Sequence, residues 1–316
     1  MEKKNIVITG GLGYVGGRLS KYFADLGHHV YALSRSKKVD YPNITVLRNK
    51  DVLDFKSLDN TKVHVLIHLA ATNEITCTNE PQKSNEVNIN GTLDWLEWSS
   101  KNQVRQFIYF STVHVYARPL IGSFSENSIC RPNHPYSISH KSAEDYVLWY
   151  KSDFGLNTTI VRLSNSFGYP AFPTADRWTL FVNDVCNQII EKKEFEIKSN
   201  VLQHRDFISL TEVCEGIRTI IEKSEALPHD LSFEGSIYNL SKGYSISLFD
   251  LAKLIKRVAE DYFNENINMI YHDEKTEETE AINISNQKLK LLGWQTKQDY
   301  NQEEIKLTLE YFNQNA

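Results

Sequence analysis

The run Ile6-Val7-Ile8-Thr9 leads directly into Gly10-Gly11-Leu12-Gly13-Tyr14-Val15-Gly16-Gly17. Consecutive β-branched residues mark a strand buried on both faces, as in a parallel sheet. Arg18 to Leu26 then reads as a helix closed by Gly27, and His29-Val30-Tyr31-Ala32-Leu33 as a second strand. Strand, glycine turn, helix, strand is the order of a dinucleotide-binding βαβ unit. Glycines permit the tight turn and let backbone donors approach a pyrophosphate at the helix N-terminus. Gly10, Gly13 and Gly16, with the flanking Tyr14 and Val15, are therefore candidate cofactor contacts.

A chain of 316 residues suits one large α/β domain with a smaller lobe. Its formal charge of -5 argues against a nucleic-acid partner held by charge neutralisation. Cys77, Cys130, Cys186 and Cys214 show no CxxC spacing, so reduced thiols and no metal site are expected. Met1 to Asn5 runs straight into a strand without a signal peptide, and no apolar run is long enough to cross a bilayer. A cytoplasmic protein with no membrane partner is the expectation.

At the end of the second strand a carboxylate would favour NAD. Ser34-Arg35-Ser36 stands there instead, and a guanidinium matches a phosphate. The cofactor expected is thus NAD(P), with Arg35 leaning to NADP and NAD close behind.

The Gly10-x-x-Gly13-x-x-Gly16 spacing resembles that of the extended short-chain dehydrogenase/reductase family, also called the NAD-dependent epimerase/dehydratase family. Further segments carry the resemblance along nearly the whole chain. Asp51-Val52-Leu53-Asp54 is similar to the family's adenine-contacting DxxD, and His68-Leu69-Ala70-Ala71 to its HLAA segment, where backbone passes close to the cofactor. Asn88-Ile89-Asn90-Gly91-Thr92 matches NxxGT at a helix start; the resemblance gives Asn88 the role of steadying the central sheet. Trp95 and Trp98 follow at helical spacing and read as packing. Ser111-Thr112-Val113-His114-Val115-Tyr116 resembles SSxxVYG, which makes Thr112 the hydroxyl on the reacting oxygen. Val113-His114 replaces the Asp-Glu pair of the family's 4,6-dehydratases, which counts against dehydration; His114 is a candidate substrate contact. Arg162-Leu163-Ser164-Asn165-Ser166-Phe167-Gly168 is similar to RxxNxYG, with Ser164 near the nicotinamide and Asn165 facing the substrate. Arg205-Asp206-Phe207-Ile208 is similar to RDFI, with Arg205 near a diphosphate. Arg177 joins these as a substrate candidate. The acidic run His272 to Glu280, where many nucleotide-sugar enzymes place a phosphate-binding arginine, reads as a solvated face.

His134-Pro135-Tyr136-Ser137-Ile138-Ser139-His140-Lys141 opens an amphipathic helix, with Pro135 suited to its first turn. By the resemblance Tyr136 is the acid/base and contacts the cofactor. A free tyrosine titrates at about 10, and lowering that to about 7 takes about 4 kcal/mol. A cation at about 4 Å supplies roughly that much at an effective dielectric of about 20. The family places a lysine one helical turn on for this purpose. Here that position is His140, and Lys141 comes one residue too late unless a π-bulge turns it inward. His140 is expected to replace the lysine in part, through a hydrogen bond to ribose or a proton relay.

The reading is an α/β protein: a Rossmann-like doubly wound parallel sheet with a smaller C-terminal substrate-binding lobe. Residues 1–167 form the dinucleotide-binding domain with the catalytic helix. Residues 168–316 form mainly the lobe, with segments at about 201–216 returning to the Rossmann sheet. The resemblance implies an NAD(P)-dependent oxidoreductase or epimerase acting on a nucleotide-sugar substrate, and a homodimer. The alternatives are a non-catalytic dinucleotide-binding regulator and a reductase of a non-nucleotide carbonyl.

Overall fold

The computed structural model describes residues 2–35, 39–48, 55–173, 175, 177–224, 234–271, 280–296 and 300–315. Seven strands form the central sheet in the spatial order Ile237–Leu240, Thr158–Leu163, Gln106–Thr112, Val65–His68, Asn5–Thr9, His29–Ser34, Ile44–Arg48. Every pairing in it is parallel. The chain starts in Asn5–Thr9, steps outward twice, then crosses back to Val65–His68 on the other side. That reversal opens a crevice at the C-terminal ends of the strands, where open α/β sheets bind their ligands.

The first strand shows why helices must cover both faces. Ile6 and Ile8 point to one side, into a core shared with Leu19 and Phe23 of helix Tyr14–Asp25 and Ile217 of helix Leu210–Ser224. Val7 points to the other, into a core with Trp95 and Leu96 of helix Gly91–Lys101 and Ala143 and Val147 of helix Pro135–Phe154. The two-residue period of a strand produces this split. Trp95 and Trp98 are buried and packed around Phe55, in keeping with the packing reading.

A third core lies outside the sheet. Helices Phe181–Lys192, Leu248–Phe263 and Tyr300–Asn315 bury Val185, Ile189, Leu251, Ile255 and Leu309 together. Strands Glu194–Ile197 and Asn268–Tyr271 pair in parallel beside them.

One expectation is corrected here. Residues 201–216 do not rejoin the main sheet as a strand. Phe207–Ser209 pairs with Asn165–Phe167, and His204–Arg205 pairs with Ile246–Ser247, each as a separate two-stranded sheet. The strand that returns is Ile237–Leu240, entirely buried beside Thr158–Leu163. With that edge taken, the chain leaves the sheet after Leu163, and the Ser164 amide donates to the carbonyl of Leu240 as it turns. Helix Leu210–Ser224 still belongs to the sheet's face through its buried apolar side.

Candidate active site

The glycine turn has the geometry a dinucleotide needs. Gly10 sits at φ +67°, a left-handed conformation. A Cβ on Gly16 would lie 2.2 Å from the Gly10 carbonyl oxygen, so helix and turn are in backbone contact. Gly13 caps helix Tyr14–Asp25 with no side-chain acceptor over the first turn. Those first-turn amides are the donors an anion would use. A bound dinucleotide fits this cradle, and the helix dipole would favour its pyrophosphate.

The flanking candidates separate by role. The Tyr14 hydroxyl donates to the carbonyl of Gly168 at 2.6 Å and lies 3.1 Å from Asn183 Nδ2, so its side chain ties the helix to the lobe. Burial pushes that phenol well up, and its backbone amide is what remains at the helix N-terminus. Val15 packs against the core. Ser34 ends the second strand, and Arg35 is exposed just after it. Asp51, Val52 and the run 272–279 lie outside the described residues.

Beside the cradle, Thr9 organises the next strand. Its Oγ1 accepts from the amides of Leu69 and Ala70 at 3.1 and 3.0 Å and lies 2.8 Å from His68 Nδ1. His68 Nε2 lies 3.2 Å from Thr92 Oγ1, which donates to the carbonyl of Asn88. Counting donors fixes the protons: Thr9 donates to Nδ1, and Nε2–H donates to Thr92. His68 is therefore neutral, and burial pulls it down to about 3. Ala71 is exposed at the crevice.

Asn88 acts as a strut. Its Oδ1 accepts from the Thr72 amide at 2.8 Å, and its Nδ2 donates to Ser139 Oγ of the tyrosine helix at 2.9 Å. It lies within a π-helical turn, Glu86–Asn90, ahead of helix Gly91–Lys101.

The tyrosine helix begins where the sequence places it, with Pro135 in the first turn. His134 caps it, its Nδ1 accepting from the Tyr136 amide at 3.2 Å. Thr112, at the end of strand Gln106–Thr112, stands near enough to the Tyr136 hydroxyl to act on its titration. Its Oγ1 also accepts from the His114 amide at 3.2 Å. Burial is the main influence on Tyr136 and holds it up at about 12; Glu74 adds to this, and Arg177 and Thr112 oppose it.

One turn on, the His140 ring meets Tyr136 edge-on at 4.5 Å between centroids. Its Nδ1 lies 2.9 Å from the Tyr109 hydroxyl, and its Nε2 is buried without a protein partner. Burial alone lowers it to about 4, so it is neutral at pH 7. Among the described residues the Tyr109 phenol has no other acceptor, so it donates to Nδ1 and the imidazole proton sits on Nε2. The helix runs unbroken from Pro135 to Phe154, and Lys141 pairs with Asp145 on its outer side. A π-bulge that would turn Lys141 inward is absent.

The substrate candidates differ in their surroundings. His114 is held neutral mainly by burial, with Glu74 opposing and Arg118 and Arg205 adding to it. Arg205 donates to Gln203 at 2.7 Å, and burial lowers it against the pull of Glu74. Arg177 is exposed yet acts on Tyr136. Ser164 is turned away: its hydroxyl donates to Asp206 at 2.6 Å. Asn165 donates through Nδ2 to the carbonyl of Asp206.

Glu74, Tyr109 and His134 are site residues that the motif reading passed over. Glu74 opens a short helix capped by Asn73, six residues beyond His68, in a stretch without a motif. Tyr109 could have been found by alternation, since it shares the helix-facing side of its strand with Phe107.

Residues 6–241 match the model of the NAD dependent epimerase/dehydratase family. The chain belongs to that family. It is 28% identical over 284 residues to the dTDP-D-glucose 4,6-dehydratase of Dictyostelium discoideum, a match covering 81% of this chain and 62% of that protein. Among solved structures, the UDP-N-acetylglucosamine 4-epimerase of Methanobrevibacter ruminantium superposes with a TM-score of 0.80 at 23% identity, covering 100% of both chains. The RMD protein of Pseudomonas aeruginosa, complexed with NADPH, does so with a TM-score of 0.77 at 19% identity, covering 99% of this chain and 100% of that one. At those identities the likeness is one of fold. Among the described residues no helix is long and apolar enough to cross a membrane, and no cluster could hold a metal.

Proposed function

We propose that the protein is an NAD(P)-dependent oxidoreductase or epimerase acting on a hydroxyl or keto carbon of a nucleotide-activated sugar. The observation that carries this reading is the Thr112–Tyr136 pair at the same end of the parallel sheet as the glycine turn, with Arg177 acting on Tyr136 and Arg205 on His114. Thr112 orients the reacting oxygen, and Tyr136 gives or takes its proton. A dinucleotide held at the glycine turn and the first turn of helix Tyr14–Asp25 would supply or accept the hydride. His140, its Nε2 buried without a protein partner, would be the donor to a cofactor hydroxyl and supplies no charge. The arginines suit the substrate's phosphates. Relatives that act on dTDP- and UDP-sugars support the substrate class. The dinucleotide is NAD or NADP, and Arg35 is the residue to vary.

A panel of UDP-, GDP-, dTDP- and CDP-sugars, followed by nicotinamide absorbance and product mass, tests the reading. Net redox means an oxidoreductase, and an isomer without net redox means an epimerase. Dinucleotide binding without either would point to a regulator. Tyr136→Phe should lower turnover about 10²–10⁴-fold; full activity in that variant would overturn the assignment. A cytoplasmic homodimer belongs to the same proposal, and light scattering measures its mass.

A further inference from the structure

The segment that carries Arg177 is laid along the cofactor helix. Helix Tyr14–Asp25 offers its first-turn amides to the anion cradle, while its side chains hold the chain from Gly168 onward. The Tyr14 hydroxyl donates to the Gly168 carbonyl at 2.6 Å. One turn on, Arg18 donates to the Tyr169 carbonyl at 3.0 Å, with its guanidinium 4.0 Å from the Tyr169 ring centre. A Cβ on Gly17 would lie 3.2 Å from the Phe172 ring, so that ring rests directly on the helix. Ala175 shares a small buried cluster with Tyr14 and Leu210. Arg177 follows, its side chain exposed. Its backbone is held by Asn183. In helix Phe181–Lys192 the residues Val182, Val185, Cys186 and Ile189 are buried, and Asn183 is 0% exposed among them. A buried primary amide has two N–H donors to satisfy. One goes to the Tyr14 hydroxyl at 3.1 Å and the other to the Arg177 carbonyl at 3.1 Å. An apolar residue would fill the same core. The amide adds a bridge from the first residue of the cofactor helix to the backbone of a substrate-side cation.

We propose that Asn183 is a positioning residue: through the bridge Tyr14–Asn183–Arg177 it sets the Arg177 guanidinium against the diphosphate of a bound nucleotide sugar. This rests on the reading of Arg177 as a substrate contact in a nucleotide-sugar enzyme. Asn183 is fully buried and so reaches neither ligand itself. Its effect passes through the Arg177 carbonyl, which also accepts from the Leu180 amide at 3.4 Å in the turn leading to the helix. An arginine on a loose segment loses more freedom on binding than one whose backbone is already held, so the same phosphate contact is tighter when the backbone is fixed. The bridge uses the Tyr14 side chain, which leaves the backbone amides of the first turn to the dinucleotide. One helix thus seats the cofactor with its backbone and steadies the substrate's cation with its first side chain.

A double-mutant cycle decides it. UDP, dTDP, GDP and CDP are titrated calorimetrically into the full chain holding NAD or NADP, and the tightest of the four is carried through the variants. Arg177→Ala should weaken it about tenfold, as expected for one charge-assisted contact. Asn183→Ala should weaken it about fivefold, and the double variant no more than Arg177→Ala alone, because one residue acts through the other. The affinity of Asn183→Ala for the dinucleotide, titrated separately, should stay within about twofold of the wild type, since the amides of the cradle are untouched. Asn183→Ala binding the diphosphate like the wild type overturns the proposal. So do losses that multiply in the double variant, or a dinucleotide affinity that falls as far as that for the diphosphate; Asn183 is then a packing residue only. If Asn183→Ala does not fold, Tyr14→Phe takes its place in the cycle: it removes the oxygen that anchors the amide and should show the same pattern. Arg177→Ala binding like the wild type also overturns the proposal and leaves the nucleotide-sugar reading standing. If none of the four binds the wild type, that reading breaks and this proposal falls with it.

Discussion

Two stretches of one helix treat buried charge in opposite ways. At Glu144 the tyrosine helix buries a full ion pair: Arg162 donates to both carboxylate oxygens, at 3.0 and 2.7 Å, with the side chains 3% and 0% exposed. One turn earlier, at His140, it buries an uncharged imidazole against an uncharged phenol. The chain is well able to bury cations elsewhere. Arg18 meets Glu304 at 2.6 Å between helix Tyr14–Asp25 and the last helix, and Lys242, just past strand Ile237–Leu240, meets Glu212 of helix Leu210–Ser224 at 2.6 Å. Each of these cations has its own carboxylate. A lysine at position 140, in the floor beneath Tyr136, would find the carboxylate one turn on, Glu144, already held by Arg162, and rings of Tyr109 and Tyr136 around it. Burying a charge is tolerable only when it is paired. The neutral floor is thus consistent with its surroundings and sets the state of the tyrosine.

The strongest way to break the comparison is to remove a partner on the charged side. Glu144→Ala leaves Arg162 buried without its carboxylate and should cost about 3–5 kcal/mol of unfolding free energy. Urea denaturation followed by circular dichroism measures it. A Glu144→Leu/Arg162→Leu double variant should recover most of the loss; equal losses in both would show that the pair's charge is not what matters.

On the neutral side the corresponding lever is acid. His140 and His68 are held down at about 4 and about 3, below the unfolded value near 6.5. The unfolded chain therefore binds more protons than the native one in that window. Each histidine contributes stability that is complete above pH 6.5 and is lost as the pH falls toward 4 for His140 and 3 for His68. At the acid end the loss approaches ~3 kcal/mol for His140 and ~5 kcal/mol for His68, at ~1.4 kcal/mol per unit. Urea midpoints measured from pH 7 to 4 should fall less steeply in His140→Gln than in the wild type. Parallel curves would mean that His140 is not buried neutral.

A smaller effect belongs to the strut between these regions. Asn88→Ala leaves the Thr72 amide and the Ser139 hydroxyl short of a partner, at a cost of about 1–3 kcal/mol. Hydrogen exchange at the Thr72 amide should speed up with it, since that bond is made to the side chain removed.

The sheet was legible in the sequence because parallel strands announce themselves. Ile6 to Thr9, Val63 to Leu69 and Gln106 to Phe110 are apolar runs bounded by turns, and each is a central strand within two residues. Pro135 marked the helix start for a local reason, its missing donor. The strand Ile237–Leu240 was harder, being four residues long and containing Asn239, whose side chain is satisfied only by Tyr116 and Ser285 far along the chain. Within the site, Thr112 and Tyr136 follow from the family resemblance, and His140 from its place one helical turn after Tyr136. Glu74 could not, since nothing local distinguishes its carboxylate from those on the surface. The direction in which Ser164 points was equally hidden, because Asp206 takes its hydroxyl from a separate two-stranded sheet.

The finest test concerns the hydroxyl that fixes the histidine. Tyr109→Phe keeps the ring and its stacking on His68 but removes the donor to His140 Nδ1. One hydrogen bond of this kind is worth about 1 kcal/mol net, and a buried acceptor left without a donor costs about 1–3. The stability change should fall between these, smaller than in Glu144→Ala because no charge is stranded. The sharper readout is the imidazole itself. With the phenol in place, Nδ1 accepts and Nε2 carries the proton, and ¹⁵N NMR of His140 should show that tautomer alone. Without it nothing holds the proton on Nε2, and the two ring nitrogens should move toward a mixed population. If the cofactor is held through Nε2–H, the KM for the dinucleotide should rise in Tyr109→Phe while the pH at which Tyr136 titrates stays put, since no charge has been added or removed beside it. A shift in the tyrosine titration without a change of tautomer would mean that Tyr109 acts on Tyr136 directly and that the floor is more than a neutral support.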